Sequence, residues 1–292
     1  MTNKETEIWI IKASGKRELF AKEKLERSLS KAGASKNVVE KIVSKTIAEL
    51  EDGMTTEQIY AQAFKELRRT KSAVASRYSL RKAVMAMGPS GFPFEQLLGA
   101  IFKSKGYKVE VGGILQGACI DHEVDVIAEK GEQHIFVEAK FHNQLGIKTD
   151  LKVALYVQAR FQDIKKAHEI RAEKEGRKPH FHEGWLVTNT KLTSKAKEYS
   201  ECRGQVIIGW DYPKHGNLEE MIIESGLHPL TCLTTISDKQ KRGLLEQDVV
   251  LCRDLKNNLH ILKTLGVVDD KIKEVEEEID SICKQHTRDS SR

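Results

Sequence analysis

The chain has 292 residues, 39% hydrophobic and 31% charged, enough apolar material for two or three small domains with real cores. Aromatics at 6%, with only 5 Pro and 20 Gly, exclude collagen-like, low-complexity and wholly disordered chains. The net charge of +5 is unevenly spread: residues 1–90 hold 18 Lys and Arg against 11 Asp and Glu, 91–212 hold 18 against 17, and 213–292 hold 12 against 15, so the basic excess lies near the N-terminus, where a polyanion could be held.

IWIIKA (8–13) and ELF (18–20), joined across Gly15, predict a short β-hairpin. Leu25, Leu29 and Ala32, then Val39, Ile42, Val43, Ile47 and Leu50, recur at helical spacing and predict two helices, the second stopping near Gly53. A third helix follows Thr55 or Thr56 as its cap, with Ile59, Ala63 and Leu67 inward, and a fourth carries Val74, Tyr78, Leu80, Val84 and Met87. MGPSGFP (87–93) is the clearest linker.

Beyond it the pattern becomes mixed. Phe94, Leu97, Leu98, Ile101 and Phe102 form an amphipathic helix, and YKVEVGGIL, EVDVIAE and HIFVEAKF read as three strands. A helix over 151–168, a charged helix end and loop at 171–183, the strand GWLVTN (184–189), a helix over about 193–201 and the strand QVIIGW (205–210) complete an α/β unit. From 211 the chain is helical, with Val268, Ile272, Val275, Ile279 and Ile282 forming either a packed helix face or a coiled-coil contact. No window of about twenty residues is free of charge, so neither a membrane span nor a signal peptide is expected, and the protein is expected to be cytoplasmic. The five cysteines, widely spaced and without a C-x-x-C pair, read as reduced thiols.

The chemically informative residues are Asp125 in EVDVIAE and Glu138-Ala139-Lys140 in HIFVEAKF. With Lys130-Gly131-Glu132-Gln133 as the loop, Glu129 pairs with His134, Ile127 with Phe136, and Asp125 falls opposite Glu138, while Glu138 and Lys140 share a face. Opposed carboxylates repel, and a hard cation such as Mg²⁺ relieves the conflict while activating water for attack on phosphorus. Lys140 would position that water or stabilise the developing charge. The plain alternative is a solvated face in which Lys140 is a salt-bridge partner. Against it, the carboxylates interrupt otherwise apolar runs typical of buried strands.

These residues, in an α-β-β-β-α-β order over about 90–210, resemble the Mrr-like branch of the PD-(D/E)xK nuclease superfamily. The resemblance implies a restriction-endonuclease-like α/β core with a mixed sheet and Mg²⁺ or Mn²⁺ held by Asp125, Glu138 and the Ala139 carbonyl. It also implies Lys140 as the catalytic lysine, Glu95 of FPFEQLL as an assisting acid and Gln158 of LYVQARF as a further catalytic residue. The proline that precedes the first acid in the family is replaced by Glu123-Val124. Tyr156 and Arg160 share the Gln158 helix and are equally able to approach a phosphate backbone. His142 continues the Glu138/Lys140 face, and His180-x-His182 has zinc-like spacing without acidic or cysteine partners nearby.

Residues 6–87 resemble the ATP-cone, a regulatory nucleotide-binding domain, through IIKASGKRELFAKEKL, TTEQI and VASRYSLRKA. The resemblance implies a hairpin plus four-helix bundle that binds ATP or dATP as an effector through Lys12, Gly15, Glu18, Lys24, Thr55 and Arg81 or Lys82. The family's Lys-Arg-Asp-Gly turn is Lys12-Ala13-Ser14-Gly15 here, with Lys16, Arg17 and Lys22 available to replace the lost charge. No G-x-x-x-x-G-K-[ST] loop for hydrolysis is present in the sequence. The expected organisation is an ATP-cone (1–88), an Mrr-like nuclease domain (89–212) and a small helical C-terminal domain (213–292). The expected function is a metal-dependent DNA endonuclease of restriction or phage-defence type, regulated by nucleotide and assembled as a homo-oligomer so that two sites cut two strands. Alternatives are a junction-resolving or repair nuclease, and a catalytically inactive nucleotide-sensing DNA-binding regulator.

Overall fold

The structure is a computed structural model that describes residues 8–70, 72–176, 178 and 181–283. The N-terminal hairpin pairs β1 (Trp9–Ile11) with β2 (Arg17–Leu19), register Trp9↔Leu19. It turns at Gly15, whose φ of +78° suits a residue without Cβ. It rests on α1 (Lys22–Lys31), α2 (Lys36–Ala48) and α3 (Thr56–Thr70), followed by α4 (Ser72–Tyr78) and α5 (Leu80–Met85). Ile10, Leu29, Ile42, Ala63, Leu67 and Val74 form the core of this module. The expected fourth helix is thus two, broken at Ser79, whose hydroxyl donates to the Ser76 carbonyl (2.8 Å). Its second half turns away: Leu80, Ala83 and Val84 are buried with Met87 and Phe94 in the core of the following domain.

That domain begins with α6 (Phe92–Ser104), where Pro93 sits in the first turn. Next come β3 (Lys108–Gln116), β4 (Asp121–Lys130), β5 (Gln133–Lys140), the two-residue β6 (Lys148–Thr149), α7 (Leu151–Lys174), β7 (Phe181–Thr188), β8 (Lys191–Leu192), α8 (Ser194–Arg203) and β9 (Val206–Ile208). The main sheet has the order β3-β4-β5-β7-β9, antiparallel from β3 to β5 and parallel from β5 to β9, and β6 pairs with β8 in a small second sheet. This is the mixed sheet expected. The β4–β5 loop is shorter than predicted, because Lys130 pairs with Gln133 and only Gly131-Glu132 turns the chain; Glu129↔His134 and Ile127↔Phe136 hold as counted. Gly131, at φ +60°, makes so tight a turn possible.

Alternation fixes the layers. Val126, Ala128, Ile135 and Val137 bury against α6, whereas Ile127 and Phe136 bury against Phe161 and Ile164 of α7, so the sheet is covered on both faces. The helix α7 runs to Lys174 rather than stopping near 168, in keeping with a charged helix end there, and the strand β7 starts at Phe181 rather than at 184, so the end of the stretch read as helix end and loop is strand. The side chain of Asp150 caps α7 by accepting from the Lys152 and Val153 N–H groups.

The C-terminal part comprises α9 (Leu218–Ser225), a 3-10 turn at Leu230–Cys232, α10 (Asp238–Leu245), α11 (Cys252–Lys256), α12 (Ile261–Thr264) and α13 (Asp269–Cys283). Val275, Ile279 and Ile282 face inward with Leu233, Leu244 and Leu255, which makes the α13 stripe a packed face; Val268, at its start, is 69% exposed. Glu278 interrupts the stripe as a buried carboxylate and accepts from Ser76 Oγ (2.9 Å) on α4. The Thr231 hydroxyl donates to the Ala83 carbonyl (2.6 Å) on α5 and Arg68 of α3 to the Thr234 carbonyl (3.0 Å). All three parts are therefore joined by buried or polar contacts. Among the described residues no helix is long and apolar enough to cross a membrane.

Candidate active site

The regular pairing of β4 with β5 ends at Val126↔Val137, one step before Asp125 and Glu138. There the Ala139 N–H donates to Asp125 Oδ2 (2.6 Å), so the two strands part with that amide satisfied by a side chain. Glu138 accepts from Arg160 of α7, and both are half-buried. Each carboxylate consequently has one oxygen tied by a fixed donor, which orients it.

The electrostatics are those of a crowded acidic site. Burial, reinforced by Asp125, Glu123 and Glu138, pushes Glu95 up to about 7. Burial also raises Asp125, against the opposing effects of the Ala139 N–H and Arg160, and raises Glu138, where the Asp125 charge adds to it and Arg160 opposes it. Thus α6 brings Glu95 to the carboxylates on β4 and β5. Glu123, two residues before Asp125 and exposed, adds a fourth acidic charge; its signal in the sequence was its alternation with Asp125. Lys140, at the end of β5, bears electrostatically on both Asp125 and Glu138.

The other sequence candidates are placed as follows. Gln158 is buried on α7 and, among the described residues, has no hydrogen bond to either carboxylate. Arg160 takes the place near Glu138, with its guanidinium over the exposed Tyr156 ring (5.1 Å). His142 follows β5, its main chain clasped by the Asn189 side chain (2.9 and 2.7 Å), with burial and then Lys140 lowering its pKa. His180 lies outside the described residues, and His182 packs beside His134 and His168 rather than presenting a pair of ligands to solvent.

In the N-terminal module Lys12 and Lys24 both pair with Glu18 (2.5 and 3.2 Å), and Arg17 pairs with Asp52 (2.9 Å). Gly15 makes the turn, with Lys16 accepting the Lys12 N–H (2.9 Å) through its carbonyl. Thr55 forms a capping box with Gln58, its hydroxyl accepting the Gln58 N–H (3.2 Å). Of these candidates the structure brings Lys24, Arg81 and Lys82 to a common cavity, together with Arg27, Lys31, Tyr60 and Arg77, which carried no signal in the sequence.

Residues 8–84 match the ATP cone domain, 87–214 the restriction endonuclease domain and 228–283 the AF1548-like C-terminal domain. A protein of Archaeoglobus fulgidus, described only as uncharacterized, is 34% identical over 176 residues, covering 60% of this chain and 93% of its own length. The chain belongs to the AF1548-like family. A crystal structure of the protein of unknown function AF1548 is 30% identical, with a TM-score of 0.52, and the match covers 66% of this chain and 98% of that one. This AF1548-like chain thus carries an ATP-cone ahead of a restriction endonuclease domain, as the resemblances implied, and the segment expected only to be a small helical domain matches the family's C-terminal domain.

Proposed function

We propose that this protein is a divalent-metal-dependent DNA endonuclease of restriction or phage-defence type, in which Asp125, Glu138 and the Ala139 carbonyl hold Mg²⁺ or Mn²⁺ and the ATP-cone binds ATP or dATP as an effector. The observation that carries the reading is the concentration of Glu95, Asp125 and Glu138 at one partly buried point, all three held above their ordinary pKa values, beside Lys140. Such a cluster is unfavourable by itself and favourable around a hard cation, for which an all-oxygen donor set is the right chemistry. Among the described residues no group of three or more His, Cys, Asp or Glu side chains is placed to hold a metal ion by itself. Water and phosphate oxygens would therefore supply the remaining ligands, as is usual for Mg²⁺.

A bound divalent ion supplies a polarised phosphoryl oxygen and an acidified water. The chain's own residues do the rest. The Ala139 N–H and Arg160 fix Asp125 and Glu138, Lys140 orients the attacking water or meets the negative charge building on the phosphoryl oxygens, and Glu95 adds a carboxyl on the α6 side. Two such sites in a homo-oligomer would cut both strands.

Purified protein with plasmid DNA and Mg²⁺ tests this, beside Asp125→Ala and Lys140→Ala. Both variants should lose cleavage by at least about a hundredfold, the scale of a lost electrostatic catalytic group. Cleavage that survives either substitution would refute the assignment.

A further inference from the structure

A cavity of about 510 Å³ lies between the ATP-cone and the nuclease domain. Its cone wall carries Lys24, Arg27, Lys31, Arg77, Arg81 and Lys82, with Tyr60 among them. The opposite wall belongs to the nuclease domain and the segment after it: Leu145, Lys191, Trp210, Asp211 and Glu219. Lys31 bonds Glu219 across the seam (2.8 Å), Lys82 bonds Glu57 (2.9 Å) and Lys191 bonds Asp211 (2.6 Å), so the cavity's three acids are each matched by one cation. Of the remaining cations Lys24 pairs with Glu18 of the hairpin, which leaves Arg27, Arg77 and Arg81 in excess. Arg81 Nε is buried with no hydrogen-bond partner among the described residues, and its guanidinium lies 6.0 Å from the Trp210 ring. Volume, excess positive charge and three aromatic rings, Tyr60, Tyr78 and Trp210, together fit a polyphosphate bearing a heterocyclic base.

A second contact crosses the same seam. The loop 141–147 leaves β5 directly after Lys140, and Leu145 lines the cavity. A Cβ built on Gly146 would stand 3.5 Å from the Ala13 carbonyl carbon and the Ser14 nitrogen, so this loop touches the turn of the cone hairpin. At its near end, Asn189 clasps the His142 main chain. The cavity is therefore linked to Lys140 by five residues of main chain.

We propose that a nucleoside triphosphate binds in this cavity with contacts from both domains, Lys191 and Trp210 among them, and that its binding is transmitted to Lys140 through the 141–147 loop. This rests on the reading of the cone as a nucleotide site and adds where the nuclease domain senses it. Only an interaction that differs between the empty and filled states can shift the nuclease domain, and a shared cavity wall supplies one.

The test uses the full chain. ATP and dATP are titrated calorimetrically into the wild type, Lys191→Ala and Trp210→Phe, and amide exchange of 141–147 is followed with and without nucleotide. Thermal melts check that both variants fold. Loss of one charge-assisted contact in Lys191→Ala should weaken binding roughly tenfold. Trp210→Phe should weaken it measurably, and nucleotide should slow exchange in 141–147 at least about threefold. Wild-type binding with unchanged affinities in both variants and unchanged exchange overturns the inference while leaving the cone a nucleotide site. Weakened binding with unchanged exchange supports the shared cavity and overturns the relay. A wild type that binds neither nucleotide overturns the underlying reading and the inference with it.

Discussion

Glu278 offers the most direct physical test of how the three parts are held together. Only 5% exposed, its carboxylate accepts from Ser76 Oγ (2.9 Å) on α4, from the Thr234 N–H (2.9 and 3.1 Å) and hydroxyl (2.8 Å), and from the Thr235 N–H (3.0 Å) and hydroxyl (2.7 Å). Replacement by Ala leaves the hydroxyls free to turn elsewhere, but the two main-chain N–H groups cannot. At about 1–3 kcal/mol for each orphaned buried donor, the expected loss is about 3–4 kcal/mol, a large share of a typical folding free energy of about 5–15 kcal/mol. Glu278→Gln keeps one acceptor oxygen and should lose about half as much. Burial raises the carboxyl's pKa, but the donors from Thr235, Thr234 and Ser76 outweigh it, so the pKa is lowered on folding. A lowered folded pKa means that the stabilisation is complete above the unfolded value of about 4.3 and is lost as pH falls from there through the folded value. Urea denaturation followed by circular dichroism should therefore show a wild-type advantage over Glu278→Gln that is flat from pH 8 to about 5.5 and shrinks below about 4.3. A Glu278→Ala loss under about 1 kcal/mol, or an advantage that grows toward acid, would refute the reasoning.

Two other substitutions probe the site's support. Arg160→Ala removes the donor that offsets two adjacent, half-buried carboxylates, and should cost about 2 kcal/mol in thermal or urea unfolding. It should also lower DNA cleavage at least about tenfold, with Arg160→Lys restoring only part because an ammonium cannot reproduce the planar fork. Gly184→Ala in β7 would put a Cβ 2.4 Å from Phe161 Cγ. The shift forced on α7, the helix that carries Arg160, should cost about 2–3 kcal/mol of stability and reduce cleavage; an unchanged melting temperature would show that α7 moves freely.

What was legible in the sequence followed from short-range rules. Period-two alternation and one tight turn were enough to pair Ile127 with Phe136 and to set Glu138 and Lys140 on a common face. The loop came out two residues shorter because Lys130 and Gln133 extend the ladder, a detail on which alternation is silent. The choice between Gln158 and Arg160 depended on how α7 is rotated against the sheet. Residues two apart on a helix project about 200° from one another, so one of them had to turn away from Glu138. Tyr156 stands one turn before Arg160 and shares its side, a pairing visible in the sequence, but the rotation itself comes from Val157, Phe161 and Ile164 packing on the sheet. Contacts such as Ser76 with Glu278, 202 residues apart, carry no local signal.

The helix α5 shows why the proposed nucleotide sensing would be difficult to separate from nuclease-domain packing in this chain. It is six residues long, less than two turns, and belongs by sequence to the ATP-cone match. One side, Leu80, Ala83 and Val84, is buried in the nuclease core with Met87, Phe94 and Leu98; Arg81 and Lys82, on the other side, line the cavity. A rigid element this short cannot adjust its cavity face and keep its core face fixed, since the covalent rise and rotation per residue link the two. Close-packed interiors accommodate such a change by moving between discrete arrangements rather than by yielding gradually. A displacement of the α5 backbone that carries Arg81 toward a polyanion would therefore be met by repacking around Phe94, on the same helix α6 that brings Glu95 to the carboxylates.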